Sequence, residues 1–152
     1  MIVVIDSNIV FSAMLNTNSL IGDLILNSQE VFKFRTCNFL ATEIHLHWDK
    51  IQQVSKLSDE QLQESKRLIY KRIDFIDERQ IPKKYRIIAF EMVKDVDIKD
   101  LVFVSLNEYS KSILWTGDKK LINGLRAKGY QNVLSTEELL KLRLAIERKK
   151  KL

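Results

Sequence analysis

The sequence predicts an α/β protein built on a parallel sheet with helices on both faces, and three observations carry that expectation. Short apolar runs alternate with helix-length amphipathic segments along the chain. The opening run Ile2–Ile5 is β-branched at every position, the signature of a strand buried on both sides. Strands separated by helices need right-handed crossovers, which stack helices against the two faces of one sheet.

Each element has its own signal. After the first strand, Asp6-Ser7-Asn8 supplies small capping residues for a helix from about Ser7 to Leu15, and a second helix runs from about Ser19 to Asn27. Val31–Arg35 reads as a short strand. Asn38 can cap the next helix, whose apolar stripe is Leu40, Ile44, Trp48, Ile51 and Val54. Ser58-Asp-Glu-Gln61 fits a capping box opening a helix in which Leu62, Ile69, Ile73 and Ile76 recur at helical spacing. Another helix begins near Pro82, with Tyr85, Ile88 and Met92 on one side. Leu101–Val104 fits a buried helix or a strand equally. Ile113–Trp115 reads as a strand, Lys119–Lys128 as a helix with Gly129 as its left-handed cap, and Val133-Leu134 as a last strand. Ser135-Thr-Glu-Glu138 is a second capping box, opening the terminal helix.

At 152 residues and 45% hydrophobic content the chain suits one well-buried domain and is too short for two ordinary ones. No apolar stretch approaches the ~18 residues that span a bilayer, so no membrane role and a cytoplasmic location are expected. A lone cysteine, Cys37, cannot form an internal disulfide. The formal charge of +5 lies wholly in residues 141–152, where Lys141, Arg143, Arg148, Lys149, Lys150 and Lys151 oppose only Glu147. The expected organisation is a domain over residues 1–140 followed by a basic helix end or tail, 141–152. That tail is a solvated face or a phosphate-attracting arm, and the charge alone does not separate the two.

The chemistry-bearing residues are acids. Two strand signals end in aspartate: Ile2–Ile5 delivers Asp6, and Ile113–Thr116 delivers Asp118 one residue beyond. Ligands in open α/β sheets bind outside the carboxyl ends of the strands, so neighbouring strands would bring these two carboxylates face to face. Asp97 and Asp100 precede an apolar segment, and Glu43 sits at the border of a helical stripe. Like charges held close cost several kcal/mol unless a cation lies between them (roughly 4 kcal/mol per pair at 4 Å near a protein surface). Each acid also has a structural reading, since Asp6 and Asp118 stand where a helix needs a cap and Glu43 where a side chain is usually solvated. His45 and His47, two apart on a helix, diverge and cannot share a metal.

Asp6-Ser-Asn8 after an apolar strand, Glu43, Asp100 heading Asp-Leu-Val-Phe-Val-Ser, and Thr116-Gly-Asp118 together resemble the acidic quartet of PIN-domain ribonucleases. The resemblance covers Met1 to about Ser135, and the phrase Leu-Trp-Thr-Gly-Asp-Lys-Lys is similar to a prokaryotic, VapC-toxin-like subgroup. It implies a three-layer α/β/α sandwich with a central parallel sheet. It also implies Mg²⁺- or Mn²⁺-dependent hydrolysis of RNA, leaving 5′-phosphate and 3′-hydroxyl ends. Asp6, Asp100 and Asp118 are then the metal ligands, Glu43 completes the cage or orients the attacking water, and Asp97 competes with Asp100 or supports it. Asn8 and Thr116 are the expected supporting groups. A carboxylate cluster without histidine or cysteine at ligand spacing suits Mg²⁺ better than zinc, which agrees independently.

The resemblance further allows the toxin half of a toxin–antitoxin pair, with an antitoxin as partner, and a homodimer. The rival reading is a catalytically inactive PIN-like RNA-binding or assembly module. A dehalogenase-type phosphatase also opens with a strand ending in aspartate, but it needs a carboxylate two residues later, where this chain has Asn8.

Overall fold

The structure is a computed structural model describing residues 1–152. Five parallel strands, β1 (Ile2–Ile5), β2 (Lys33–Cys37), β3 (Ile73–Ile76), β4 (Ile113–Trp115) and β5 (Val133–Leu134), lie in the order β3-β2-β1-β4-β5. The helices are α1 (Ser7–Leu15), α2 (Leu20–Leu26), α3 (Asn38–Leu46), α4 (Trp48–Ser55), α5 (Asp59–Tyr70), α6 (Lys83–Val93), α7 (Leu101–Ser110), α8 (Lys119–Ala127) and α9 (Thr136–Lys150).

Alternation along β1 explains its all-apolar sequence. Val3 and Ile5 enter a core shared with α1, α2, α3, α5 and α9, whereas Val4 enters a second core with α6, α7 and α8. All three are fully buried, so the sandwich has three layers, as expected. The chain winds outward through β1, β2 and β3, then returns to the other side of β1 as β4. The β1–β4 boundary, with Ile5 opposite Trp115, is therefore the point where the winding reverses, and there a crevice opens at the carboxyl edge.

Several expectations shift. The second strand lies two residues later than Val31–Arg35, because Val31 and Phe32 are spent on a turn donating to the Ser28 carbonyl. The long helix expected from Asn38 is two helices, broken at His47 (φ −107°, ψ 20°), and Cys37 rather than Asn38 holds the cap position without a side-chain cap bond. Ile73 and Ile76 belong to β3, not to the capping-box helix, which ends at Tyr70. Leu101–Val104 is helical. Both capping boxes form, at Ser58/Gln61 and Ser135/Glu138, and Gly129 takes φ +84°. Residues 141–150 continue α9, which is anchored by buried Leu139 and by an Arg143–Asp23 ion pair at 3.2 Å. No single helix is long and apolar enough to cross a membrane.

Candidate metal centre

The crevice between β1 and β4 receives its groups from the strand ends. Asp6 follows β1 and caps α1, its Oδ1 accepting the Ile9 amide at 3.2 Å. Thr116 follows β4, is fully buried, and donates its hydroxyl to Asp6 Oδ2. The same hydroxyl oxygen accepts the Asp118 amide at 3.1 Å, so one threonine ties together the backbone of one acid and the side chain of another. Asp118 caps α8, its Oδ1 accepting the amides of Lys120 (2.9 Å) and Leu121 (3.2 Å). Asp97 caps the short 3₁₀ turn Ile98–Asp100, its Oδ1 accepting the Lys99 amide at 3.0 Å. The capping readings of Asp6 and Asp118 thus hold alongside their place at the edge.

In each capping aspartate at the rim, Asp97 and Asp118, one oxygen is committed to backbone and the other is free to face the crevice. Asp100 has no capping bond, and its Oδ2 is buried with no hydrogen-bond partner. Ligand oxygens of Asp97, Asp100 and Asp118 all lie within 4.8 Å of one another. At that separation each ionised pair repels by roughly 3 kcal/mol at an effective dielectric of about 20. Three half-buried carboxylates this close, with one oxygen unpartnered, form a group that could hold a cation.

The titration behaviour follows. Burial, reinforced by the neighbouring charges of Asp6, Asp97 and Asp118, pushes the Asp100 carboxyl up to about 7. Burial likewise pushes Asp6, only 3% exposed, up to about 6, with Asp118 adding to the rise and the Thr116 and Ile9 hydrogen bonds opposing it. Asp6 therefore belongs electrostatically to the group although both its oxygens are engaged by the protein. An all-oxygen donor set fits Mg²⁺ or Mn²⁺, which carboxylates hold together with several waters, and gives zinc none of its usual nitrogen or sulfur ligands.

The remaining expected residues lie around this centre or apart from it. Asn8 is exposed on the first turn of α1. Glu43 is half-buried on α3, outside the group of three, and lines a separate groove of about 300 Å³ with Phe11, His47 and Lys50. His45 and His47 are both exposed. Gly124 on α8 is a feature the sequence reading passed over. A β-carbon there would meet Val96 Cγ2 at 2.6 Å, so its bare backbone lets the segment carrying Asp97 close onto the helix that Asp118 caps. A glycine in mid-helix was the available signal.

Comparison with known proteins agrees with this architecture. Residues 4–140 match the family described as PIN domain. No curated protein matches the chain by sequence. Among solved structures, it is similar to the crystal structure of VapBC2 from Rickettsia felis bound to a DNA fragment from their promoter. The TM-score is 0.62 and the identity 16%, over 89% of this chain and 97% of that one. At that identity the likeness is one of fold. With the family matched over nearly its whole length and three aspartates gathered at the carboxyl edge of a five-stranded parallel sheet, this chain belongs to the PIN-domain family.

Proposed function

We propose that the protein is a divalent-metal-dependent ribonuclease hydrolysing RNA phosphodiester bonds. The observation that carries this reading is Asp100, whose Oδ2 is buried without a partner among the protein's own groups and whose carboxylate lies within 4.8 Å of those of Asp97 and Asp118. Asp97, Asp100 and Asp118 would hold Mg²⁺ or Mn²⁺, with Asp6 adding negative charge behind them. A bound divalent ion there supplies acidification of the attacking water and neutralisation of charge on the leaving oxygen.

The chain's own residues do the rest. Thr116 fixes the Asp6 carboxylate and the Asp118 backbone in one rigid relation, so the acids need little reorganisation when a cation arrives. The buried strand ends keep water away from one side of the crevice, which strengthens every charge interaction within it. Lys119 and Lys120, exposed beside Asp118, are placed to attract the RNA backbone. Glu43 would complete the cage or orient the attacking water, either of which needs its carboxylate to reach the crevice from the separate groove it lines on α3.

The Rickettsia felis structure pairs its proteins as VapBC2 on promoter DNA. By analogy of fold, this chain would be the toxin of a toxin–antitoxin pair, with an antitoxin covering the crevice and a second copy forming a homodimer. The test is incubation of purified protein with single-stranded RNA in Mg²⁺, Mn²⁺ or EDTA. Cleavage in the metals, its loss in EDTA and its loss in Asp100→Asn and Asp118→Asn support the reading. A folded wild-type protein that leaves RNA intact in both metals would return the inactive binding module to first place.

A further inference from the structure

Beyond β1 on the same sheet edge, the chain leaving β2 and β3 walls a groove of about 400 Å³ whose lining includes Lys99, between Asp97 and Asp100. Phe39 and Ile98 flank it with 41% and 50% of their surfaces exposed, over an apolar lining that includes Ile81 and Val102. Lys99 and Arg86 also line it and form no ion pair with any carboxylate. Of the other charged groups in the lining, Arg79 is paired with Asp77 at 2.8 Å and the Glu78 carboxylate accepts the Phe39 amide at 3.3 Å, which leaves the cations in excess. Lys99 thus leaves its charge unspent although it stands between two acids in the chain. Arg86 is aimed by one bond to the Glu78 carbonyl at 2.7 Å, leaving further donors free.

An exposed aromatic ring beside two unpaired cations fits a partner that is anionic along its length and carries flat apolar rings. Single-stranded RNA has both properties, whereas an acidic peptide has only the charge. We propose that this groove seats the nucleotide adjoining the scissile phosphate of single-stranded RNA, with its base against Phe39 and Ile98 and its phosphate against Lys99 and Arg86. The assignment rests on the ribonuclease reading of the neighbouring acids.

Two substrates separate the two claims. Bis(p-nitrophenyl) phosphate is a diester with no adjoining nucleotide, so it reports the metal centre alone. Phe39→Ala and the double variant Lys99→Ser/Arg86→Ala should hydrolyse it in Mn²⁺ at the wild-type rate. On a fluorescein-labelled RNA nonamer both should show a raised KM.

Binding of the same nonamer is then followed by anisotropy in an Asp118→Asn background, where the strand stays intact. Phe39→Ala should weaken it about ten-fold, as loss of one stacked base does. The double variant should lower the slope of log affinity against log salt by about 0.7, the share of one neutralised phosphate on a single strand. A packing role alone would leave that slope unchanged. Unchanged RNA affinity and slope, with diester hydrolysis intact, overturn the groove assignment and hand the surface to a protein segment. Absence of any metal-dependent hydrolysis by wild type overturns the ribonuclease reading and the adjoining-nucleotide assignment with it, even if the variants still bind RNA more weakly.

Discussion

Replacing Asp6 by Asn should stabilise the metal-free protein at neutral pH, the opposite of what loss of a useful residue normally does. The Asp6 carboxyl ionises at about 6 in the fold against 3.8 in an open chain. Folding is therefore favoured by the protonated acid. That contribution is complete below pH about 4, is lost as pH rises through the folded value, and is gone above about 7. The difference of about two pKa units corresponds to about 3 kcal/mol. Asparagine removes this cost and caps a helix as well as aspartate does. Its amide must turn one donor toward the Thr116 hydroxyl, weakening a hydrogen bond worth about 1 kcal/mol.

The balance is about 2 kcal/mol in favour of Asp6→Asn at pH 8 in EDTA, or roughly 4–8 °C in Tm for a domain of this size. At pH 4 the sign reverses to a loss of about 1 kcal/mol, because only the hydrogen-bond cost remains. Saturating Mg²⁺ should reverse the neutral-pH result as well, since wild type gains about 2.7 kcal/mol at a hundred times its dissociation constant and the variant gains less. Thermal unfolding by circular dichroism across pH 4–8, with EDTA and with Mg²⁺, reads all three. A difference that does not vary with pH, or destabilisation at pH 8 in EDTA, would show that Asp6 serves only as a helix cap and would refute the reasoning.

Cleavage at subsaturating Mg²⁺ should rise as pH passes from about 6 to about 7, because the protons on Asp6 and Asp100 oppose the cation; excess Mg²⁺ should move the midpoint of the pH–rate profile downward. Thr116→Val leaves the buried Asp6 Oδ2 and the Asp118 amide without their partner and should cost about 1–3 kcal/mol by denaturant unfolding, with Thr116→Ser recovering most of it. Gly124→Ala should lower Mn²⁺ affinity more than stability, since better helix propensity offsets part of the crowding against Val96 while the displaced segment carries Asp97; calorimetric titration and thermal unfolding on one preparation separate the two effects.

What the sequence disclosed follows the physics of burial. Ile2–Ile5 and Ile113–Trp115 advertise themselves because strands covered on both faces tolerate only apolar residues, and the acids that end them follow directly. Ile73 and Ile76 were misleading because they continue the three- and four-residue spacing of Leu62 and Ile69, so an edge strand passes for another helical turn. The break at His47 carries neither glycine nor proline, and the apolar stripe runs straight across it.

One-dimensional reading singled out Asp6, Glu43, Asp97, Asp100 and Asp118; the fold gathers Asp97, Asp100 and Asp118 and leaves Glu43 on a separate groove. That reading did not reach the groove of Phe39, Arg86 and Lys99, which come from three segments far apart in the chain and are ordinary surface residues until the sheet edge gathers them. Only the resemblance favoured Asp100 over Asp97; the residues themselves left the two open. Their hydrogen bonds separate them: Asp97 Oδ1 accepts the Lys99 amide, whereas Asp100 Oδ2 is buried with no protein partner.

Calorimetric titration of Mn²⁺ at pH 7, in two buffers of different ionisation enthalpy, tests most directly whether a cation belongs among these acids. Wild type should bind Mn²⁺ and release about half a proton in doing so, as expected when an ion displaces the proton from a carboxyl titrating at about 7, and Asp100→Asn should abolish both signals. Binding of equal affinity in Asp100→Asn, or no binding by folded wild type, would contradict the assignment.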